Sequence, residues 1–550
     1  MDPRVGLGAG DSPFALRGTC GRTARLAFLA TRAASLLRWF FALSLLGLLA
    51  GCLTPKFERP DIPTTPQYKW APPARPVHGP PGPQWKIAEP REHLIGKGDW
   101  WKMYRDPELD QLEAASLTAN PTLGEAFARI LQARAEVLGV KAMFYPTLDF
   151  TPWLKSVSNA AQGQWPVPPF PRQLDPWAAV GDTNYEFALW QQIPKLRVAK
   201  EQAKAVQAAY EEIRLSLTSE VAQNYYLLRQ IDLEISILDQ IIGQFDKDLR
   251  LTQERTKLGL GQQLDVVRAR SQLEQVRGER DGLRWSRTKA ENSLAALTGK
   301  SASGFSLPFR PLSGEPPAII QGVPSELLER RPDIARAERL MAEANAQIGV
   351  ARAAFYPSLY LSGFGGFQSL FFNTLMTLHN AYWAAGPLID VPIFEGGMLI
   401  ASLNAAKAGY WVTVQEYRKV VLDAFREVED YLSGIRILSD QQQRFAAAVV
   451  ASERQVDMTL DRFRRGLGNY FEIVQANKEL LTSRRDDAKT LGERFVLTAL
   501  LVKGLGGGWE DSSFRPLPPK AMPLGQNSSG QGAAVSTAAL DRGALVPEKK

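Results

Sequence analysis

Asn120 to Pro146 reads NPTLGEAFARILQARAEVLGVKAMFYP, and Arg331 to Pro357 reads RPDIARAERLMAEANAQIGVARAAFYP. The two stretches align without a gap at an offset of 211 (331 less 120). Leu123 falls on Ile334, Ala126 on Ala337 and Ala133 on Ala344. Each stretch opens on Pro, whose missing N–H and fixed φ suit the first helical position. Each then carries alanines at helical spacing and closes on Phe-Tyr-Pro, where the helix must stop. The reading is a helix over 121–142 and a second over 332–353.

Outward from these stretches the match resumes at an offset of 207 (427 less 220). Glu220-Val221 pairs with Glu427-Val428, and Arg255 to Gly259 with Arg462 to Gly466. Asp265 then falls on Glu472, Val267 on Val474, Ala269 on Ala476 and Gly299 on Gly506. The chain is therefore a duplication with a four-residue length change between the matched parts. Each copy has one grammar: the short helix, a Gly-, Pro- and aromatic-rich region, a very long helix, a Gly-Leu-Gly turn and a final helix. The long helices are predicted over 194–257 and 397–464, the turns at 259–261 and 466–468, and the final helices over 262–298 and 469–504.

Leu228, Ile231, Ile235, Leu238, Ile242, Phe245 and Leu249 alternate spacings of three and four, the seam of a coiled coil. Ile435, Leu438, Gln442, Phe445, Val449 and Val456 hold the matching register in copy two. A helix of about 64 residues is roughly 95 Å long, too long for a globular core. The turn folds the final helix back along the long one, and the middle region brings the short helix beside its other end. Each copy is predicted to be an antiparallel coiled-coil rod, two shorter helices stacked end to end along one long helix.

The middle regions, 143–191 and 355–396, read as β-hairpins. Leu148, Phe150, Pro152 and Leu154 alternate with Thr147, Asp149, Thr151 and Lys155. Tyr185, Phe187 and Leu189 alternate with Asn184, Glu186 and Ala188. Leu359 to Phe367 and Ala381 to Phe394 are aromatic-rich. Such segments fit barrel strands with one face to lipid and one to a lumen, or a small hairpin packed on the rods. Four strands per chain cannot close a barrel, and hydrocarbon does not tolerate an open sheet edge. If the strands insert, chains must pool them, and a trimer closes a twelve-stranded barrel. The fold class is thus mostly α with a β part: a duplicated long antiparallel coiled-coil tunnel plus four transmembrane strands per chain.

Composition narrows the functional class. Two Cys, Cys20 and Cys52, offer neither a disulfide scaffold nor a Cys-based metal site, and His78, His93 and His379 lie far apart. Residues 1–51 hold six Arg against Asp2 and Asp11, or +4 of the net +7. The remaining +3 is no footprint for nucleic acid. Gly299-Lys300-Ser301 is no phosphate loop: Leu294 stands where that motif needs Gly, and the helix ends there rather than begins. No Ser/His/Asp or paired-carboxylate constellation stands out, so no enzyme, cofactor or metal is expected.

The first 51 residues read as an address. After the Arg-rich start comes a short apolar run, Trp39 to Ala50, too short for a comfortable transmembrane helix and suited to a signal peptide. Leu49-Ala50-Gly51-Cys52 resembles a bacterial lipobox, which implies a lipid on the Cys52 thiol and Cys52 as the mature N-terminus. Leu53 rather than Asp after the Cys implies sorting to the outer membrane. Residues 52–95 form a tether, with eleven Pro between 55 and 90. The first repeat spans 96–300, a linker 301–330, the second repeat 331–509, and a disordered tail 510–550.

At this point the motifs resemble a family. Gly98-Asp99-Trp100-Trp101 with Asp106-Pro107-Glu108-Leu109 and Asn120-Pro121 resembles the start of TolC-like outer-membrane efflux proteins, in their NodT-type lipoprotein branch. Glu326 to Ile334 (ELLERRPDI) is similar to that branch's most specific signature. Phe355 to Leu359, Pro392 to Gly397, Glu427 to Asp430 and Leu505 to Trp509 add to the likeness, which covers about residues 49–509. One run departs from it: Leu189-Trp190-Gln191-Gln192-Ile193-Pro194-Lys195-Leu196-Arg197 lacks the usual Asp and Gly, and Pro194 sits where a helix could begin.

The resemblance implies a homotrimer in the outer membrane of a Gram-negative bacterium, with a periplasmic helical tunnel. It implies a passive exit duct for small molecules that works with a periplasmic adaptor protein and an inner-membrane transporter. By the same resemblance the turns Gly259-Leu260 and Gly466-Leu467 meet the adaptor, and Glu472 and Asp265 are gate candidates ringing the pore; the next family acidic position is Gln475 here. Two other readings stand beside it: a duct for type I protein secretion, and a periplasmic coiled-coil lipoprotein without a pore.

Overall fold

The computed structural model describes residues 54–60, 62, 68–70, 99–154, 157–158, 173–174, 176–187, 189–319 and 330–507. The leader, Cys52, most of the tether, positions 320–329 of the linker and the tail lie outside the described residues. Seven α-helices occur among the described residues: α1 (Pro107–Ala119), α2 (Pro121–Ala142), α3 (Leu189–Lys257), α4 (Gln263–Leu297), α5 (Pro332–Ala353), α6 (Met398–Arg464) and α7 (Tyr470–Gly504). The short and final helices fall where the repeat places them, within a residue at each end. At 69 residues α3 is roughly 104 Å long.

The start of α3 differs from expectation. It begins at Leu189, so Leu189 is helical rather than the end of a strand, and Pro194 lies inside the second turn. Only one i→i−4 bond is lost there, next to a terminus whose first N–H groups lack partners anyway. Side chains secure the joint instead. Gln192 donates through Nε2 to the Met143 and Glu186 carbonyls at 3.1 and 2.6 Å, and Gln191 donates to Ser358 Oγ at 2.7 Å. The two glutamines that depart from the family run are thus the residues tying strand to helix.

The end-to-end stacking of short and final helices has a specific joint, built twice. In copy one, Asn120 Oδ1 caps α2 by accepting from Thr122 and Leu123 N–H, while its Nδ2 donates to the Leu297 carbonyl at the end of α4. Gly299, with φ +68°, lies so close to the Ala119 carbonyl that a Cβ would overlap it. In copy two, Arg331 takes the place of Asn120: it donates through Nη1 to the Gly504 carbonyl at 3.1 Å and grips Asp333 with two nitrogens at 3.0 and 2.7 Å. Its Nη2 also bridges to Glu427 on α6 at 2.9 Å. Gly506, with φ +90°, lies against the Arg330 carbonyl as Gly299 lies against Ala119. The Arg-Arg-Pro-Asp and Leu-Gly-Gly segments are therefore two halves of one contact.

The copies do not form separate rods, which corrects the simplest sequence picture. α3 packs on α2 and α4 of its own copy and also on α5 and α7 of the other. Among the described helices α6 packs chiefly on α5 and α7, and tether residues such as Tyr68 join it beside Val428 and Leu432. The seam in copy one is accordingly closed: Leu228, Ile231, Ile235, Leu238 and Phe245 are buried, and Ile241, off the heptad, joins them against Leu273 and Val276 of α4 and Leu481 of α7. The matching seam of α6, Ile435 to Val456, is half-buried, whereas Val414, Tyr417, Val421, Ala424, Val428 and Leu432 nearer its start are buried. Trp411, Val412, Leu422 and Ile437 lie exposed on its outer side.

The first half of the linker is strapped down. The fully buried Arg229 pairs with Glu108 at 2.6 Å and Asp232 at 3.0 Å and donates to the Pro308 carbonyl. Arg287 joins Asp232 at 2.6 Å and holds the Leu307 carbonyl. With Asp232 wholly out of water, each charge is supported by several hydrogen bonds, the condition under which a buried ion pair persists.

Six strands occur among the described residues: β1 (Thr147–Leu154), β2 (Val157–Ser158), β3 (Gln173–Leu174), β4 (Trp177–Glu186), β5 (Ser358–Ser369) and β6 (Ala381–Asp390). β2 and β3 pair with each other, and the rest form one antiparallel sheet in the order β1-β4-β5-β6. β4 begins earlier than its alternation shows, because Ala178, Ala179 and Gly181 carry little pattern. The register puts Leu148, Phe150, Pro152 and Leu154 on one face with Trp177, Ala179, Leu361, Phe367, Trp383 and Ile389. The other face carries Asp149, Thr151, Asp182, Asn184, Glu186, Ser362, Gln368 and Asp390. The first face is largely apolar, while the second mixes these polar groups with Trp153, Tyr360, Phe364 and Leu388, and among the described residues the edges β1 and β6 have no strand partner.

Candidate functional site: the helix tips and the open edges

The two Gly-Leu-Gly turns have the same backbone. Gly259 and Gly466 both adopt φ +72°, a conformation an L side chain resists. The N–H of Leu260 returns to the Arg255 carbonyl and that of Leu467 to the Arg462 carbonyl, each at 2.9 Å. This satisfies the last carbonyls of both long helices and turns the leucines outward. Leu258, Leu260 and Leu467 are 72, 68 and 70% exposed. Three apolar side chains in water at adjacent turns form a surface suited to a partner.

The tips of the two copies pack on each other. Phe463 and Tyr470 of copy two cluster with Ala269 of α4 and Ile473. Arg255 lies 4.3 Å from the Phe463 ring centre and donates to the Phe463 carbonyl. Asp265 sits in the first turn of α4, 3.9 Å from Arg268 Nη1. Glu472 sits in the first turn of α7, its N–H held by Asn469 Oδ1 at 3.0 Å. Both gate candidates are thus in first helical turns, where a carboxylate meets the positive end of the helix dipole. Glu472 also occupies the third position after an Asn cap, a place favoured for Glu on helix grounds alone.

Sequence reasoning missed a second carboxylate here. Asp248 of α3 faces Asn477 of α7 across the copies, with Asn477 Nδ2 at 3.5 Å from Asp248 Oδ2. Asn477 is buried, and its Oδ1 receives no hydrogen bond. Burial pushes the Asp248 carboxyl up to about 6, against the opposing pull of Arg464. Burial, then the charges of Asp248 and Asp265, push the Tyr470 phenol up as well. The signal was weak: a lone Asp one residue before Leu249 of the seam looks like a solvated helix face.

Helices of this length that carry a two-faced sheet with free edges define a subunit of an outer-membrane channel. No described helix is long and apolar enough to cross a membrane. The chain belongs to the outer membrane efflux protein family, whose model matches residues 114–300 and 323–506. It is 28% identical over 476 residues to the probable efflux pump outer membrane protein TtgC of Pseudomonas putida, covering 85% of this chain and 94% of that one. It is 27% identical over 474 residues to the outer membrane protein OprJ of Pseudomonas aeruginosa, covering 84% and 94%. The solved outer-membrane channel OprN matches at 25% identity and TM-score 0.71, covering 83% of this chain and 99% of that one. VceC of Vibrio cholerae matches at 26% and 0.67, covering 74% and 98%.

Proposed function

We propose that this protein is the outer-membrane exit duct of a tripartite efflux pump, a passive channel for small molecules assembled from three chains. One observation carries the reading. A sheet apolar on one face ends in two free edges, in the same chain as a long helix, α6, whose outer side is bare. Both deficits are met together when α6 and β6 of one copy meet the α2/α4 stack and β1 of the next. Three copies give twelve strands, enough for a barrel with an aqueous lumen. Relatives named as antibiotic and toluene efflux pump proteins support small organic cargo.

The exposed leucines of the tip turns are the contacts for a periplasmic adaptor, which in turn engages an inner-membrane transporter. Glu472, and Asp265 at the equivalent position of copy one, line the closed end and draw cations there. A lipid on Cys52 tethers the chain. Thr54 lies directly over Gly349, near the end of α5 that feeds β5. From there the segment runs back along the helix, through Asn345 to the Pro55 carbonyl and Arg59 to Glu338, as far as Glu429. Cys52, two residues before Thr54 in sequence, lies outside the described residues.

The purified protein reconstituted in planar bilayers tests the duct. We expect discrete cation-preferring conductance, with weaker preference and weaker divalent block in Glu472→Gln. A protein that runs as a monomer in mild detergent and passes no current would overturn the reading.

A further inference from the structure

The β5–β6 connection, residues 370–380, presents large apolar side chains to its surroundings. Phe371, Phe372 and Leu378 are 69, 68 and 90% exposed, and Leu370 and Met376 are exposed beside them. Asn373, Thr374, Thr377 and His379 are exposed as well, but several of the loop's polar groups bond one another. Ser369 Oγ pairs with Thr374 Oγ1 at 2.7 Å, and Asn380 Nδ2 donates to the Thr374 carbonyl at 2.8 Å and to Thr377 Oγ1 at 3.2 Å. Thr377 Oγ1 donates to the Thr374 carbonyl, and Ser369 Oγ accepts from the Phe371 N–H. Two 3₁₀ turns, Phe372–Thr374 and Leu378–Asn380, close more backbone bonds internally. Satisfying the backbone from within while presenting apolar side chains is what an apolar solvent demands.

Sequence and position agree. From Ser358 to Ile389 there is no Asp, Glu, Lys or Arg, whereas the first hairpin carries Asp149, Lys155, Arg172, Asp175 and Asp182. Phe372 meets Trp177 edge to face at 5.1 Å between ring centres. Trp177 stands opposite Leu154, on the apolar face of the sheet. The loop therefore continues the lipid side of the barrel rather than its lumen. The β4–β5 ladder runs from Glu186↔Tyr360 to Trp177↔Ser369. At about 3.3 Å per residue and a tilt near 40° it rises roughly 25 Å, the height of an outer-membrane apolar band. The loop then falls at the outer rim of that band.

We propose that residues 370–380 are an outer-leaflet anchor, with Phe371, Phe372 and Leu378 seated among lipid acyl chains at the outer rim of the barrel. The inference rests on the outer-membrane reading above, so its test reports on both. Leu378→Cys and Trp383→Cys full-length proteins are labelled with an environment-sensitive fluorophore and placed in phosphatidylcholine nanodiscs, and the unsubstituted chain is labelled in parallel to correct for Cys20 and Cys52. Quenching by nitroxide-bearing lipid is compared with quenching by an aqueous nickel chelate. The anchor predicts severalfold stronger lipid quenching at both positions. Lipid quenching at 383 with aqueous quenching at 378 overturns the anchor and leaves the barrel. Lipid quenching at 383 with neither quencher effective at 378 also overturns it, since the loops then bury one another between copies. Aqueous quenching at 383 overturns the barrel and the anchor with it.

Discussion

Acid tightens the contact between the two copies near the tips, and Asp248→Asn removes that response. The Asp248 carboxyl is raised from its ordinary 3.8 to about 6 by burial, so the folded state holds its proton more strongly than the unfolded state does. The stabilisation is complete below about pH 4 and is lost as pH rises through about 6. A shift of this size has a ceiling of about 3 kcal/mol. The site keeps some contact with water, which reduces it to about 1–2 kcal/mol, roughly a tenfold change in local opening. The geometry supplies the cause. Asp248 Oδ2 accepts from Asn477 Nδ2 at 3.5 Å, a long bond that does not offset the cost of burying a charged carboxylate. An Asn at 248 has no charge to bury at any pH. Hydrogen exchange across 245–252 and 473–481, corrected for intrinsic rates, should show protection falling about tenfold between pH 4.5 and 7.5 in the wild type. Asp248→Asn should be flat and at least as protected at pH 7.5. A flat wild type, or a variant that follows the same slope, refutes the argument.

Gly506→Ala forces a Cβ into the Arg330 carbonyl at φ +90° and should cost about 2–4 kcal/mol, read as lower thermal stability, with Gly299→Ala acting alike in copy one. Leu260→Asp with Leu467→Asp should abolish adaptor capture while leaving single-channel conductance intact, because neither leucine contributes to the core. Trp411→Glu should leave the helical signal of the chain unchanged and shift it from trimer to monomer in analytical ultracentrifugation, because Trp411 is exposed on the bare side of α6.

Much of the fold was legible because duplication doubles every weak signal. Pro121 and Pro332 mark helix starts alone only faintly, and the same Pro before two aligned alanine runs fixes both. The closed seam of α3 was readable from spacing. Its packing partners were not, since a heptad states that a face is buried and not by which helix. Hence α3 appeared as the spine of one rod, although it lies between both copies. The tip leucines could be read because turn glycines are local. Asp248 could not, because its partner Asn477 lies 229 residues away and nothing in either segment marks the pair. The buried Arg229 and Asp232 were hidden for a related reason: beside Leu228 and Ile231 they look like the polar flank of the seam.

The unequal burial of the two long helices also bears on assembly. The copies share a seam by descent, yet α3 buries most of it, whereas Ile435 to Val456 of α6 is only half-buried. A lone coiled-coil lipoprotein would leave that stretch of α6, roughly 32 Å long, half open to water. If chains join edge to edge, the bare side of α6 meets the α2/α4 stack of the next chain. That stack carries exposed apolar groups of its own, Leu131, Leu138, Val267 and Trp285. The contact then repeats the one that α3 already makes with α5 and α7 inside the chain. Assembly therefore needs no new kind of interface, only the internal one used again between copies. The ring closes when the strands at its top do, which ties the diameter of the helical tunnel to the strand number of the barrel.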